Sequence, residues 1–209
     1  MFASSGDNGS ACGVAPTNGV PASGPPFVEY PASSSYVIGV GGTTLLTNSD
    51  GTYNNEAAWY AGGGGLSQFE LSPFWQAPVN VASTVGRAVP DVAMDADPES
   101  GAYVFVSGAE ACCYGGTSLS SPMALGVFAR LQSGHLNSLG HAGQVFYKGA
   151  TPLPSDASPA GFHDIILGTN GAFIALPGYD YTTGLGSFDI AAYNATLPPP
   201  PKGGVCKKP

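Results

Sequence analysis

The chain has 209 residues, a formal net charge of −8 with His neutral, 43% hydrophobic side chains and only 10% charged ones. That length fits one domain, and that apolar share supports a packed core. No basic stripe is available to displace phosphate counterions, and no apolar run reaches the ~18–20 residues that span a bilayer, so neither nucleic acid nor a membrane is expected as a partner.

Residues 1–9, Met-Phe-Ala-Ser-Ser-Gly-Asp-Asn-Gly, read as the end of a strand running into a glycine-rich turn. This opening lacks the charged start and apolar stretch of a secretory leader, and further chain is expected upstream. Residues 36–46, rich in β-branched side chains with glycines between, predict a buried strand. The four glycines at 62–65 read as a flexible turn or as a place where backbone approaches a substrate, the turn being the plainer reading. Residues 89–94 predict a short strand entering an acidic loop, and residues 102–107 a second β run. Residues 115–131 begin as a tight turn and continue as a helix, with Leu125, Phe128 and Leu131 on one face. Strands interleaved with helices predict an α/β sheet. Four prolines at 198–201, followed by Lys202, Lys207 and Lys208, predict an extended tail over 198–209.

Cysteines stand at 12, 112, 113 and 206. Their spacing fits no zinc site and chooses no pairing, and adjacent Cys112 and Cys113 are not expected to bond each other. Oxidised thiols and an acidic, charge-poor composition fit a secreted protein or an acidic, lysosome-like compartment. Asn194-Ala-Thr196 and Asn8-Gly-Ser10 are glycosylation sequons.

Ser118 lies between Gly115-Gly116 and Pro122, where a turn hands over to a helix. Small neighbours admit a substrate carbonyl, and a helix start offers free N–H groups to a developing oxyanion. The plainer alternative is a helix N-cap serine. Pro122 is expected in the first helical turn, where no donor is lost. A serine nucleophile needs a base. His135, His141 and His163 all follow Ser118 and none has the setting of a catalytic triad. His135 and His141 read as loop residues, and His163 as packing beside Phe162.

Gly-Gly-Thr-Ser-Leu-Ser-Ser-Pro at 115–122 resembles the nucleophile motif of the sedolisins, the serine-carboxyl peptidases. Further blocks agree in order: residues 3–9, 30–33 with 36–44, 62–69 with Trp75-Gln76, 87–93 with 95–98, 162–165 and 177–186. The resemblance covers residues 1–197 and implies a subtilisin-like parallel sheet flanked by helices, as the C-terminal portion of such a domain. It implies Ser118 as nucleophile and Asp7 as the aspartate that holds the tetrahedral oxyanion. A carboxyl group donates a hydrogen bond there only when protonated, which suits acid pH. Without the resemblance Asp7 reads as a turn aspartate.

The family's general base is a glutamate oriented by an aspartate four residues on. No Glu-x-x-x-Asp occurs in these 209 residues. Asp91 and Asp95 are four apart but match a different block. The isolated chain is therefore expected to be inactive, with the missing N-terminal part of the same precursor as a partner and a protein or peptide as substrate.

The resemblance also implies one structural Ca²⁺. Asp164 and Asp180 would bind through carboxylates, and Ile165, Leu176 and Gly178 through backbone carbonyls, a donor set of hard oxygens that suits the ion. Leu176 stands where glycine is more usual in the family. Cys12 matches a bridging position, but the partner loop near Gly168 holds no cysteine. Two competing readings are a catalytically inactive, peptidase-like binding module and a secreted carbohydrate-binding domain. The latter requires exposed aromatics on a β face, whereas Trp59 and Trp75 read as core or turn.

Overall fold

A computed structural model describes residues 1–11, 16, 18–21, 23–79, 86–148 and 159–201. Cys12, Cys206 and the tail from 202 onward lie outside the described residues, and so does any pairing of those two cysteines.

The central sheet is built on β2 (Ile38–Thr47). β1 (Phe2–Ser4) pairs with it in parallel, Phe2 opposite Ile38. Beyond the end of β1, β3 (Tyr53–Ala58) adds antiparallel to β2. On the other side β6 (Val92–Asp95) runs parallel, Val40 opposite Val92. The expected α/β sheet is thus parallel at its centre with one antiparallel strand. Separate two-stranded pieces surround it: β4 (Gly65–Leu71) with β5 (Gly86–Val89), β7 (Ala102–Val106) with β8 (Ala109–Tyr114), and β9 (Phe162–His163) with β10 (Ser187–Phe188). The strand predicted over 89–94 is two strands, because Pro90 offers no ladder donor. The run at 102–107 belongs to an exposed hairpin outside the central sheet.

Helix α1 (Thr117–Gly134) covers one face of β1, β2 and β6. Its buried stripe is Ala124, Val127, Phe128 and Leu131, facing Ile38, Val40 and Val92. Leu125, expected on that face, is 49% exposed. It sits one residue, about 100°, out of the stripe's 3–4 spacing. Behind the stripe, Phe146 of α2 (Ala142–Lys148) meets Phe128 edge-on at 5.5 Å, and Phe188 and Tyr193 of α3 (Ile190–Thr196) join the cluster. Each such fully buried side chain contributes about 1.5–3 kcal/mol.

A buried polar knot ties the sheet to its surroundings. Arg87 and Asp91 are paired and wholly buried. Asp91 also accepts from the Gly39 N–H at 2.8 Å, the Tyr147 hydroxyl at 2.8 Å and the Gln76 amide at 3.1 Å. One carboxylate thus joins β2, α2 and the 3-10 turn Phe74–Val79, and the low local dielectric makes its loss costly. Trp59 and Trp75 are both buried, as core positions.

The structure joins Cys112 to Cys113, contrary to expectation. A register shift in the β7–β8 pair falls at these residues, and Cys113 has a φ of +72°, so neighbouring side chains that alternate in a regular strand come together.

Candidate active site

The end of β1 and the start of α1 are latched to each other. Beyond β1 the chain passes through Ser5 and Gly6 to Asp7. One oxygen of Asp7 accepts from the Thr117 backbone N–H and from the Thr117 hydroxyl, both at 2.7 Å. That hydroxyl in turn accepts from the Gly6 N–H at 3.2 Å, and Ser4 Oγ donates to the Thr117 carbonyl at 2.9 Å. Gly116, the N-cap residue, has no side chain to give, so Asp7 serves the helix terminus from across the chain. A Cβ at Gly116 would lie 2.6 Å from Asp7 Oδ2, and its φ is +86°, so this position requires glycine.

Ser118 is the second residue of α1 and is exposed. Among the described residues neither its hydroxyl nor its N–H has a hydrogen-bond partner. The N-cap alternative therefore fails: the cap residue is Gly116, and Asp7 supplies the capping oxygen. Pro122 is also not in the first turn. With the helix starting at Thr117, proline at 122 withholds the donor that the Ser118 carbonyl would otherwise meet.

The glycine run at 62–65 is buried, not a flexible turn. Gly63 donates to the Gly6 carbonyl at 2.8 Å, and a Cβ on it would fall 2.1 Å from the Ser5 carbonyl oxygen. A Cβ on Gly64 would fall 1.9 Å from the carbonyl of Tyr181. The run lets three backbone segments stack beneath the Asp7 loop.

Sequence reasoning missed Glu29. Its carboxyl overhangs the same loop, with both Cδ and Oε1 2.8 Å from where a Gly6 Cβ would stand. Partial burial, and then the nearby Asp7, push the Glu29 carboxyl above its ordinary range. Nothing in its local sequence marks it.

Other acidic candidates are committed elsewhere. Asp91 is locked to Arg87 in the interior. Asp95 accepts from Ser100 Oγ at 2.6 Å, and Asp97 from Thr44 Oγ1 at 2.7 Å. His135 is buried at the end of α1 against Asn194, His141 lies beside Trp75, and His163 stacks on Tyr53 at 3.9 Å. None of the three is placed beside Ser118 by these contacts. Asn194, one of the sequon asparagines, thus uses its side-chain oxygen toward His135.

The loops proposed for calcium do meet. Both oxygens of Asp164 accept from the Gly178 N–H at 3.1 Å, and Asp180 accepts from the Leu176 N–H at 2.9 Å. Asp180 also takes Thr182 and Thr183 N–H groups at 2.7 and 2.8 Å. Burial raises the Asp180 carboxyl, while bonds from Thr182, Leu176 and Thr183 pull it back. Among the described residues the carbonyls of Ile165, Leu176 and Gly178 accept no hydrogen bond. Asp164 and Asp180 thus both meet the segment 176–178, and their oxygens are of the hard type that Ca²⁺ takes.

Ser118 is thus exposed at the start of α1, next to the Thr117 that the Asp7 carboxyl holds from beyond the end of β1. No family model matches the chain. The chain is 42% identical over 185 residues to sedolisin of Pseudomonas sp. (strain 101), covering 81% of this chain and 30% of that protein. It is 35% identical to kumamolisin of Bacillus sp. (strain MN-32), covering 95% of this chain and 36% of the relative. The solved Pseudomonas sedolisin, a serine-carboxyl proteinase complexed with pseudo-iodotyrostatin, superposes with a TM-score of 0.80 at 40% identity, over 93% of this chain and 54% of that one. The chain belongs to the sedolisin family, and it spans about a third of the curated relatives it matches.

Proposed function

We propose that this chain carries the nucleophile and oxyanion side of an acid-acting serine-carboxyl peptidase that hydrolyses protein or peptide substrates, as an endopeptidase or a tripeptidyl-peptidase. The observation that carries this reading is the unengaged Ser118 hydroxyl, one residue from the Thr117 group that Asp7 grips. Ser118 Oγ attacks the scissile carbonyl carbon and gives its proton to a base, the C–N bond breaks as the amine takes a proton, and water then releases the acyl group. The protonated Asp7 carboxyl and the Ser118 N–H donate to the oxyanion. The base in this reading is the family's Glu/Asp pair, which no Glu-x-x-x-Asp in these 209 residues supplies. One Ca²⁺ held by Asp164, Asp180 and the carbonyls of Ile165, Leu176 and Gly178 stabilises the loops at 164–180 and takes no part in bond cleavage. A secreted or acidic-compartment setting suits carboxyl groups that work when protonated, and no helix among the described residues is long and apolar enough to cross a membrane.

The test is Ser118→Ala in a form of the protein that contains the upstream part, assayed on peptide hydrolysis near pH 4. Loss of several orders of magnitude in rate is expected. Unchanged hydrolysis would overturn the assignment. The second reading is a catalytically inactive, peptidase-like binding or structural module, favoured by the lack of any Glu-x-x-x-Asp in these 209 residues.

A further inference from the structure

The β7–β8 hairpin has a construction the catalytic reading leaves unused. Its strands pair only with each other among the described residues. It carries Tyr103 and Phe105 at 68% and 77% exposure, with Val106 and Tyr114 more than half exposed as well. Exposed apolar side chains gathered on one element are candidates for an interaction surface. Tyr103 and Phe105 are two apart on one strand and so project from the same face, joined there by Glu110, the partner of Phe105.

The base of the hairpin is held firmly. Ala102 pairs with Tyr114, a Cβ on Gly101 would lie 2.3 Å from the Tyr114 carbonyl, and one on Gly115 would lie 2.6 Å from the Ala96 carbonyl. Gly116 donates to that same Ala96 carbonyl. β8 then passes through Gly115 and Gly116 into Thr117 and Ser118. The hairpin is therefore continuous with the nucleophile turn, and its position is fixed relative to Ser118.

We propose that this hairpin is an outlying substrate-docking edge: an extended, apolar stretch of the polypeptide being cleaved adds as a strand along β7 and sets side chains against Tyr103 and Phe105. The proposal rests on the peptidase reading of Ser118. An unpaired strand edge offers backbone donors and acceptors that suit an extended chain. Substrate side chains two residues apart repeat at about 6.6 Å, the spacing of Tyr103 and Phe105 themselves. Four peptide steps from Tyr114 to Ser118 span at most about 14 Å of chain, the Ala102–Tyr114 pair adds about 5 Å across the strands, and Phe105 lies about 10 Å up the strand from Ala102. Together these distances place the contact within about nine extended substrate residues of the scissile bond. Selectivity at this edge is for aromatic or branched aliphatic side chains and for a chain unfolded enough to extend.

The first test uses the 209-residue chain. A twelve-residue peptide with Phe at two alternate positions, its counterpart with Ser at both, and a version N-methylated at alternate backbone amides are titrated while amide resonances are followed by NMR. The Phe peptide is expected to shift residues 102–114 and to bind at least tenfold more tightly than either control. Tyr103→Ser with Phe105→Ser is expected to remove that advantage while the melting curve stays in place, since both side chains are exposed. Equal binding by wild type and double variant, or shifts confined to other residues, would overturn the proposal. In a cleaving form of the protein, the double variant is expected to lose about tenfold in kcat/KM on a twelve-residue substrate and nothing on a tetrapeptide ester. An equal loss on both would also overturn it. A wild-type form that cleaves neither substrate, yet binds the Phe peptide along 102–114, counts against the peptidase reading and for the docking edge.

Discussion

Although 110 residues separate Asp7 from Thr117, one carboxylate oxygen holds both the backbone and the side chain of that threonine. The contact depends on single atoms. A methyl group on Gly116 would strike Asp7, and a β-carbon on Gly6 would strike Glu29. Local sequence could suggest Ser118, because a glycine-flanked serine before an apolar helical run is visible as such. It cannot tell that Gly116 is the cap, since the capping oxygen arrives from another element, and a helix started at the local serine puts Pro122 a turn too early. Glu29 was invisible for the same reason: its closeness to Asp7 is purely tertiary. If Asp7 donates to the oxyanion, Asp7→Asn keeps a donor of similar shape and Asp7→Ala keeps neither. Turnover in a cleaving form should fall in the order wild type, Asn, Ala, with the alanine variant down about 10²–10³-fold. Three equal rates would reduce Asp7 to a helix cap.

Elements were legible where local pattern and burial coincide. The strand over 36–46 and the helix after Gly116 follow from β-branched density and 3.6-residue periodicity, and both are present as β2 and α1. Leu125 was assigned to the core because apolar character alone does not choose between neighbouring stripes, and Ala124 is the smaller, buried choice. The strand over 102–107 was readable as a strand, but nothing local shows that it stands outside the main sheet. The loops proposed for calcium behave in the same way: Asp164 and Asp180 are ordinary loop acids until the fold sets both against the segment 176–178. A cation bound only to the folded state stabilises it by about 2.7 kcal/mol at a hundredfold excess over Kd. Chelator should therefore lower the melting temperature of the folded protein, and Asp164→Ala should remove the response. A melting curve indifferent to calcium and chelator in the wild type would refute the site.

For the whole molecule, buried acids away from the candidate site favour low pH. Glu56 is buried between Thr43 and Ser187, with Tyr53, His163 and Asp95 around it. Burial lifts its carboxyl above 4.5, the two hydroxyl bonds and His163 pull it down, and Asp95 pushes it up. Burial likewise lifts Asp95 above 3.8, against hydrogen bonds from Ser100 and Leu45. An acid whose folded pKa is raised contributes stability that is complete below its unfolded pKa and is lost as pH rises through the folded one. The melting temperature should thus fall as pH climbs from about 4 toward neutrality, and Glu56→Gln should flatten that fall. Parallel curves for the two proteins would contradict it. The low charge density and acidic balance of the sequence pointed to the same setting, though composition could not name the buried acids responsible. The central claim is that Ser118 becomes acylated. A cleaving form should be mixed with a slowly deacylating peptide ester at pH 4, quenched, digested and weighed by mass spectrometry. The account predicts one acyl group on the fragment containing Ser118 and none after Ser118→Ala; an adduct on another residue, or active turnover with Ser118 never modified, would contradict it.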